Sequence, residues 1–287
     1  MGLLSGFEKY GVTEENKKDL YAKAETQKTA AVKEAEAPQA NVPKEEDFIL
    51  DKTVRCPVCD KVFKAKLVKS ARVRRLEPDF DLRPNHEHID TVKYGVVSCP
   101  RCGYTALNRT FPHLSPGQIK LIKENISANF RPKNEDAPGP YTYEDAIERH
   151  KFALANAVVK RAHASEIANI ALNIAWLERT YIPQMPEDDD FQKNEKEEMI
   201  KEQREAYEEA YEGFMKAISE ESYPIAGMDQ ATLDYLIANM AFELGHIEVA
   251  SRMISGILGS RTASAKVKDR AYDMKQQIIA QIKATKR

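Results

Sequence analysis

The chain has 287 residues, and its 43 Lys and Arg side chains nearly balance its 45 Asp and Glu side chains, so the formal net charge is only −2. This balance excludes a chain that is polycationic throughout and binds nucleic acid by charge alone. No run of about 18 apolar residues predicts a membrane-spanning helix. The N-terminus has no basic segment followed by an apolar one, as a secretory signal would have, and we therefore expect a cytoplasmic protein.

Residues 1–47 are predicted to form a flexible tail or linker. Residues 22–46 are rich in Ala, Lys, Glu, Gln and Pro, a composition that buries too little apolar surface to fold alone. Before them, Leu3, Phe7 and Tyr10 follow the i, i+4, i+7 spacing of one helix face. Residues 1–12 are therefore predicted to be either a turn packed on this protein or a docking peptide for another.

Two C-P-x-C pairs hold all four cysteines of the chain, Cys56, Cys59, Cys99 and Cys102. In a cytoplasmic protein, paired cysteines at this spacing favour metal ligation over disulfides, and four thiolates suit one structural Zn(II) ion. A redox dithiol pair and an iron–sulfur cluster are the alternatives. The residue after each pair, Asp60 or Gly103, is expected to adopt positive φ so that backbone N–H groups can point at sulfur.

Strand patterns flank the cysteine pairs. Phe63, Ala65 and Leu67 alternate with lysines after the first pair, which predicts a half-buried strand, and residues 91–98 predict a second strand that leads into Cys99. The order of strand, cysteine turn and strand predicts a zinc-ribbon domain over residues 48–114. The 39 residues between the cysteine pairs make a loop about twice as long as is usual in such ribbons.

This long loop has a basic part and an acidic part. Residues 61–75 contain seven basic side chains and no acidic one, which predicts phosphate contact, although Phe63 is their only aromatic residue for base stacking. The acidic part contains two i, i+2 pairs that would share one face of an extended strand: Asp79 and Asp81, and His86 and His88. These four residues could form a second metal site or a hydrolytic centre. Alternatively, the two aspartates pair with one of the nearby arginines and fix the loop: Arg72, Arg74, Arg75 or Arg83.

The rest of the chain, residues 115–287, is predicted to be a helical-repeat domain. Ser115 and Pro116 form a good helix start, and helical patterns dominate from residue 143 onward. Small residues recur at similar spacings, which resembles irregular tetratricopeptide-type repeats, with the polar residues 183–200 as an insertion. The fold class is therefore α+β and mostly α. In such repeats the first helix of each pair lines a groove, which here would present Asn169, Asn173, Trp176, Tyr235, Asn239 and Phe242. Trp176 could instead be a core residue, because tryptophan is largely buried on average.

The paired C-P-x-C motifs, the basic and then acidic loop, residues 99–106 (CPRCGYTA) and the helices that follow resemble a bacterial family, the domain of unknown function numbered 2225. The four cysteines, Asp79, Asp81, Gly103 and Tyr104 match its pattern. The resemblance implies a cytoplasmic bacterial protein with a zinc ribbon and a helical-repeat tail, and it implies no particular reaction.

No glycine-rich phosphate loop, nucleophilic serine elbow or H-E-x-x-H motif is present. We therefore expect a non-enzymatic adaptor that binds a protein or peptide partner in the helical groove. One alternative is a nucleic-acid-associated regulator that uses residues 61–75. The other is a metal-dependent hydrolase that uses the Asp- and His-rich residues 79–88.

Overall fold

The computed structural model describes residues 43–134 and 138–285 of the protein. The predicted docking segment 1–12 and most of the predicted tail lie outside the described residues. Within the described part of the chain, no helix combines the length and the apolar character that crossing a membrane requires.

Each cysteine pair lies at the turn of an antiparallel β-hairpin. β1 (Ile49–Arg55) pairs with β2 (Val62–Val68) around the first cysteine pair, and β3 (Val96–Ser98) pairs with β4 (Thr105–Leu107) around the second. The strand predicted after the first pair is confirmed as β2, in which Phe63 and Ala65 are buried. The two hairpins are separate two-stranded sheets, and the four cysteines lie together where their turns meet.

The strand predicted over residues 91–98 is wrong in its first half. Thr91–Tyr94 forms a 3-10 turn, and the Asp90 side chain caps it by accepting a hydrogen bond from the Val92 N–H at 3.0 Å. Gly95 follows, and a Cβ atom at that position would lie 3.0 Å from Nε2 of the fully buried His150. The cap and this close approach delay the strand until Val96.

In the part of the chain that the structure describes, seven α-helices follow the hairpins, which confirms an α+β fold that is mostly α. Ser115 caps the first helix as predicted, in a capping box with Gln118, and the helix continues into a π-helical turn over Ile122–Ser127. The helices are α1 (Pro116–Leu121), α2 (Tyr143–Val159), α3 (Ala164–Tyr181), α4 (Asp190–Glu220), α5 (Gln230–Glu243), α6 (Ile247–Gly259) and α7 (Ala265–Thr285).

Of the polar residues 183–200, which are predicted to be an insertion between repeats, residues 190–200 form the start of the 31-residue helix α4. The Asp189 side chain caps this helix by accepting from the Gln192 N–H at 2.8 Å. Only the C-terminal half of α4 buries an apolar face, which includes Ala210 and Phe214. The charged N-terminal half therefore extends the helix beyond its buried part.

The helices pack in chain order, with α3 between α2 and α4, and with α5, α6 and α7 stacked in succession. Small side chains permit this close packing, since Ala146, Ala153, Ala210, Ala217 and Ala250 are all fully buried. One hydrophobic cluster runs from the cysteine hairpins into the helices, so the hairpins rest directly on the helical array. The domain boundary at residue 114 stays a prediction.

Candidate metal centre and binding cleft

The four cysteine sulfur atoms form a compact cluster, in which all Sγ atoms lie within 4.8 Å of one another. The distance is 3.6 Å between the sulfurs of Cys56 and Cys102, and again between those of Cys59 and Cys99. A tetrahedral metal with metal–sulfur bonds of about 2.3 Å places its sulfur ligands about 3.8 Å apart. A disulfide requires about 2.05 Å. The cluster therefore has the spacing of a metal site and could hold one ion.

The two cysteine turns have the same backbone construction. The Asp60 N–H donates to the Cys56 carbonyl at 3.0 Å, and the Gly103 N–H donates to the Cys99 carbonyl at the same distance. The positive φ predicted for both residues is confirmed, at 59° for Asp60 and 74° for Gly103. The Val58 N–H points at the Cys56 sulfur at 3.4 Å. A repeated turn thus presents two sulfurs from each hairpin.

The thiols influence one another's protonation. Hydrogen bonding with Cys56 raises the pKa of the Cys102 thiol, whereas hydrogen bonding with Cys102 lowers the pKa of the Cys99 thiol. Four crowded thiols do not all ionise readily without a cation, and a bound divalent ion favours the thiolate at every position. Four thiolates complete a tetrahedral coordination shell, so such a centre has no position for a substrate.

Gly103→Ala is expected to destabilise the protein by about 2–4 kcal/mol for two reasons. Alanine is strained in the left-handed backbone conformation, and its methyl group would overpack the site. The added Cβ would lie 2.5 Å from Cδ2 of Phe130 at a φ of +74°. Denaturant unfolding of the full chain measures the loss. Gly117→Ala is the matched control, since a Cβ there meets only the Ser115 hydroxyl at 4.0 Å. Equal stability of the two variants would contradict the expectation.

The acidic part of the long loop docks on helix α3. The Asp81 carboxylate, which is 2% exposed, accepts from Nε1 of Trp176 at 2.8 Å and from Nη1 of Arg179 at 2.6 Å. Asp79 accepts from Nη2 of the same arginine at 2.7 Å. The predicted pairing of the aspartates with Arg72, Arg74, Arg75 or Arg83 is therefore wrong, because Arg179 from a distant helix takes that role. The Arg83 guanidinium bonds Asp90 instead, at 2.6 Å.

Helix α7 holds the same loop from the other side. Glu77 pairs with Lys266 at 3.0 Å and also with Arg270. The Arg270 guanidinium donates to the backbone carbonyl oxygens of Pro78 and Asp79, at 3.2 and 3.3 Å. The loop thus connects α3 to the last helix of the array.

The two loop histidines make contacts of other kinds. His86 Nδ1 lies 3.1 Å from the Thr91 hydroxyl, and burial lowers the pKa of its imidazole. The His88 ring stacks on Phe48, with ring centroids 6.0 Å apart. Within residues 43–134 and 138–285, the cysteine cluster is the one group of three or more His, Cys, Asp or Glu side chains placed to hold a metal ion. The hydrolytic role of residues 79–88 stays a prediction.

A cleft of about 500 Å³ opens between this loop and helices α3, α4 and α5. The residues that line it include Asp79, Phe80, Arg179, Ile200, Tyr207 and Asn239. Of the six predicted groove residues, Asn239 lines the cleft, whereas Trp176 is buried against the loop and Tyr235 is fully buried. The other three are half-buried and do not line the cleft: Asn169, Asn173 and Phe242.

A tight turn presents Phe80 at the edge of the cleft. The Leu82 N–H donates to the Asp79 carbonyl at 3.0 Å, and Leu82 adopts a φ of 62°. The Phe80 side chain at the tip is 53% exposed, and Ile200, which also lines the cleft, is 47% exposed. No spacing signal in the sequence identified these two residues, because they lie 120 positions apart. Both are exposed apolar side chains at the cleft, and Phe80 lies on the anchored loop.

A comparison with family models matches residues 49–278 to DUF2225, described as an uncharacterized protein conserved in bacteria. The chain belongs to the DUF2225 family. The match confirms the resemblance, and in this DUF2225 chain it covers both cysteine pairs, the acidic loop and the helices as far as Ile278 of α7. No curated protein and no solved structure gives a significant match.

Proposed function

We propose that this DUF2225 chain is a non-enzymatic adaptor, stabilised by one structural Zn(II) ion, that binds a protein or peptide partner in the cleft. The observation that carries the proposal is the exposed Phe80 on a turn held by Asp79, Asp81 and their helical partners. Exposed aromatic side chains on rigid supports are typical binding hot spots, because little conformational entropy is lost when a partner covers them.

The cysteine cluster supports the structural part of the proposal. Its sulfur spacing suits tetrahedral coordination, and Zn(II) is the usual ion of closed four-cysteine sites. Thiolate ligands of this kind persist in a reducing compartment, which is the reason to place the protein in the cytoplasm.

The helical array supports a repeat-type groove. Helices α5 and α6 form an antiparallel hairpin, and Gly245 in the connection has a φ of 84°. This is the construction expected for a tetratricopeptide-like pair. Asn239 on α5, the first helix of that pair, faces the cleft, as a groove residue would.

Neither alternative function is favoured by a specific contact. In the basic segment, the side chains of Lys69 and Arg72 donate to the Asp47 carbonyl, and Arg74 lies 3.4 Å from Glu87. These cations are partly engaged within the chain. In the acidic segment, Arg179 offsets the charges of both aspartates, which reduces their value as a base or as metal ligands.

Site-specific photo-crosslinking in bacterial cells tests the proposal. A photoreactive phenylalanine analogue at Phe80 is expected to form a discrete adduct with a partner, while the same analogue at Tyr272, 57% exposed on α7, is not. Purified Phe80→Ala is expected to bind that partner about 30-fold more weakly, the usual loss at a hot spot. The proposal fails if position 80 gives no adduct, or gives only the adducts seen at position 272.

A further inference from the structure

Asn239 has unused hydrogen-bond donors in the cleft. The residue is 2% exposed, and its Oδ1 atom accepts from the Tyr207 hydroxyl at 3.4 Å. This contact orients the amide and leaves Nδ2 with no hydrogen-bond partner among the described residues. Burial raises the pKa of Tyr207, so its hydroxyl keeps the proton that it donates. Asn239 lines the cleft, so an incoming acceptor could take these N–H groups in place of water.

The two aspartates of the cleft already accept hydrogen bonds from other residues of the chain. Asp81 accepts from Trp176, Arg179 and the Arg83 backbone, and Asp79 accepts from Arg179 and Asn85. The remaining surface includes the apolar side chains of Phe80, Ile200 and Leu244. Asn239 therefore offers its donors beside apolar side chains, a combination that suits an extended peptide with its backbone carbonyl groups and side chains.

The charge around the cleft favours basic peptides over acidic ones. Helix α4, which forms one wall, carries ten acidic and five basic side chains. The lining itself has three carboxylates and two guanidinium groups, which leaves a net negative charge: Asp79, Asp81, Glu243, Arg179 and Arg204. A carboxylate acceptor would be repelled by this surface, whereas a neutral carbonyl flanked by Lys or Arg would be attracted.

We infer that the cleft binds an extended basic peptide segment of a partner, with Asn239 Nδ2 donating to a backbone carbonyl and with Phe80 and Ile200 packing on an apolar side chain. The inference rests on the proposed function and defines the chemistry of the partner. The cleft volume of about 500 Å³ lies within the range typical of ligand sites, roughly 300–1,000 Å³.

The test uses the full chain and a phage-displayed library of random 12-residue peptides. Selected peptides are expected to be enriched in Lys or Arg together with Leu, Ile or Phe. Synthetic copies of them are expected to bind Asn239→Asp at least about 10-fold more weakly, although that variant adds a charge that attracts them. Asn239→Leu, which removes the donors without adding a charge, is expected to show the same loss. Asn173→Asp is the matched control, since Asn173 lies on α3 and does not line the cleft.

The outcomes separate the inference from the proposed function. If Phe80→Ala weakens binding but both Asn239 variants bind normally, the donor assignment is overturned and the adaptor proposal stands. Selection of acidic peptides also overturns the inference. The synthetic peptide of residues 1–12 is measured in parallel, and preferential, Asn239-dependent binding of it would make the chain's own N-terminal segment the occupant. No selected peptide, together with no crosslink at position 80, overturns both proposals.

Discussion

Cys56→Ser is expected to remove stoichiometric metal from the protein and to lower its free energy of unfolding by at least about 5 kcal/mol. Cys56 is fully buried, and its sulfur lies 3.6 Å from that of Cys102 on the other hairpin. Structural zinc contributes roughly 10–16 kcal/mol to the folding of small zinc domains, and loss of one thiolate forfeits much of that energy. The two hairpins share no strand pairing, so a bound metal would cross-link them at the cysteine turns.

Elemental analysis and thermal unfolding of the full chain provide the measurements. The wild-type protein is expected to carry one zinc per chain and to unfold at a lower temperature after chelation, whereas Cys56→Ser is expected to be insensitive to the chelator. Thr53→Ser, a similarly small change at an exposed position of β1, is the control. The zinc assignment would be refuted if the wild-type protein contained no metal and its unfolding temperature did not change after chelation. Bound iron with visible absorbance would indicate an iron–sulfur cluster instead of zinc.

Asp81→Ala is expected to destabilise the protein by about 3 kcal/mol and to release the loop from α3. The substitution leaves Nε1 of Trp176 and the Arg179 guanidinium without their shared acceptor. Removal of one partner from a buried ion pair typically costs about 3–5 kcal/mol, and the lower end applies because the Arg179 side chain is 40% exposed. Asp81→Asn retains an acceptor for Trp176, and its free energy of unfolding is expected to fall by less than that of Asp81→Ala.

Trp176 reports this change directly, because it is the only tryptophan of the chain. Its fluorescence emission is expected to shift to longer wavelength in Asp81→Ala, and the Leu82 amide is expected to exchange hydrogen faster as the turn opens. Glu87→Ala is the control, because it removes only surface contacts with Arg74 at 3.4 Å and His88 at 4.0 Å, each worth less than about 1 kcal/mol. Unchanged emission together with wild-type stability would show that the loop is held by other contacts.

Local features of the chain were predictable because local physics decides them. The C-x-x-C spacing predicted paired sulfur ligands, and the need for positive φ singled out Asp60 and Gly103. Ser115 followed by Pro116 marked a helix start, since the capping oxygen and the fixed proline φ act within one turn. Each of these signals depends on residues that are close in sequence.

The errors arose where distant contacts overrode local pattern. Residues 91–94 have an apolar pattern that suits a strand, but the Asp90 cap and the packing of Gly95 on His150 impose a 3-10 turn. Asp79 and Asp81 were expected to pair with arginines nearby in the sequence, but packing brings Arg179 to both carboxylates. The Asp90 cap is local, whereas His150 and Arg179 lie far along the chain from the segments that they contact.

The sequence by itself determined the four-cysteine cluster and the mostly helical class, because cysteine spacing and helical periodicity are short-range properties. Only the tertiary structure decided that Arg179, 98 residues from Asp81, holds the acidic loop. Charge balance identified the need for a cationic partner but could not choose among arginines, since pairing depends on which side chains packing brings within reach. The same packing buried Trp176 behind the loop and left Asn239, Phe80 and Ile200 around the cleft.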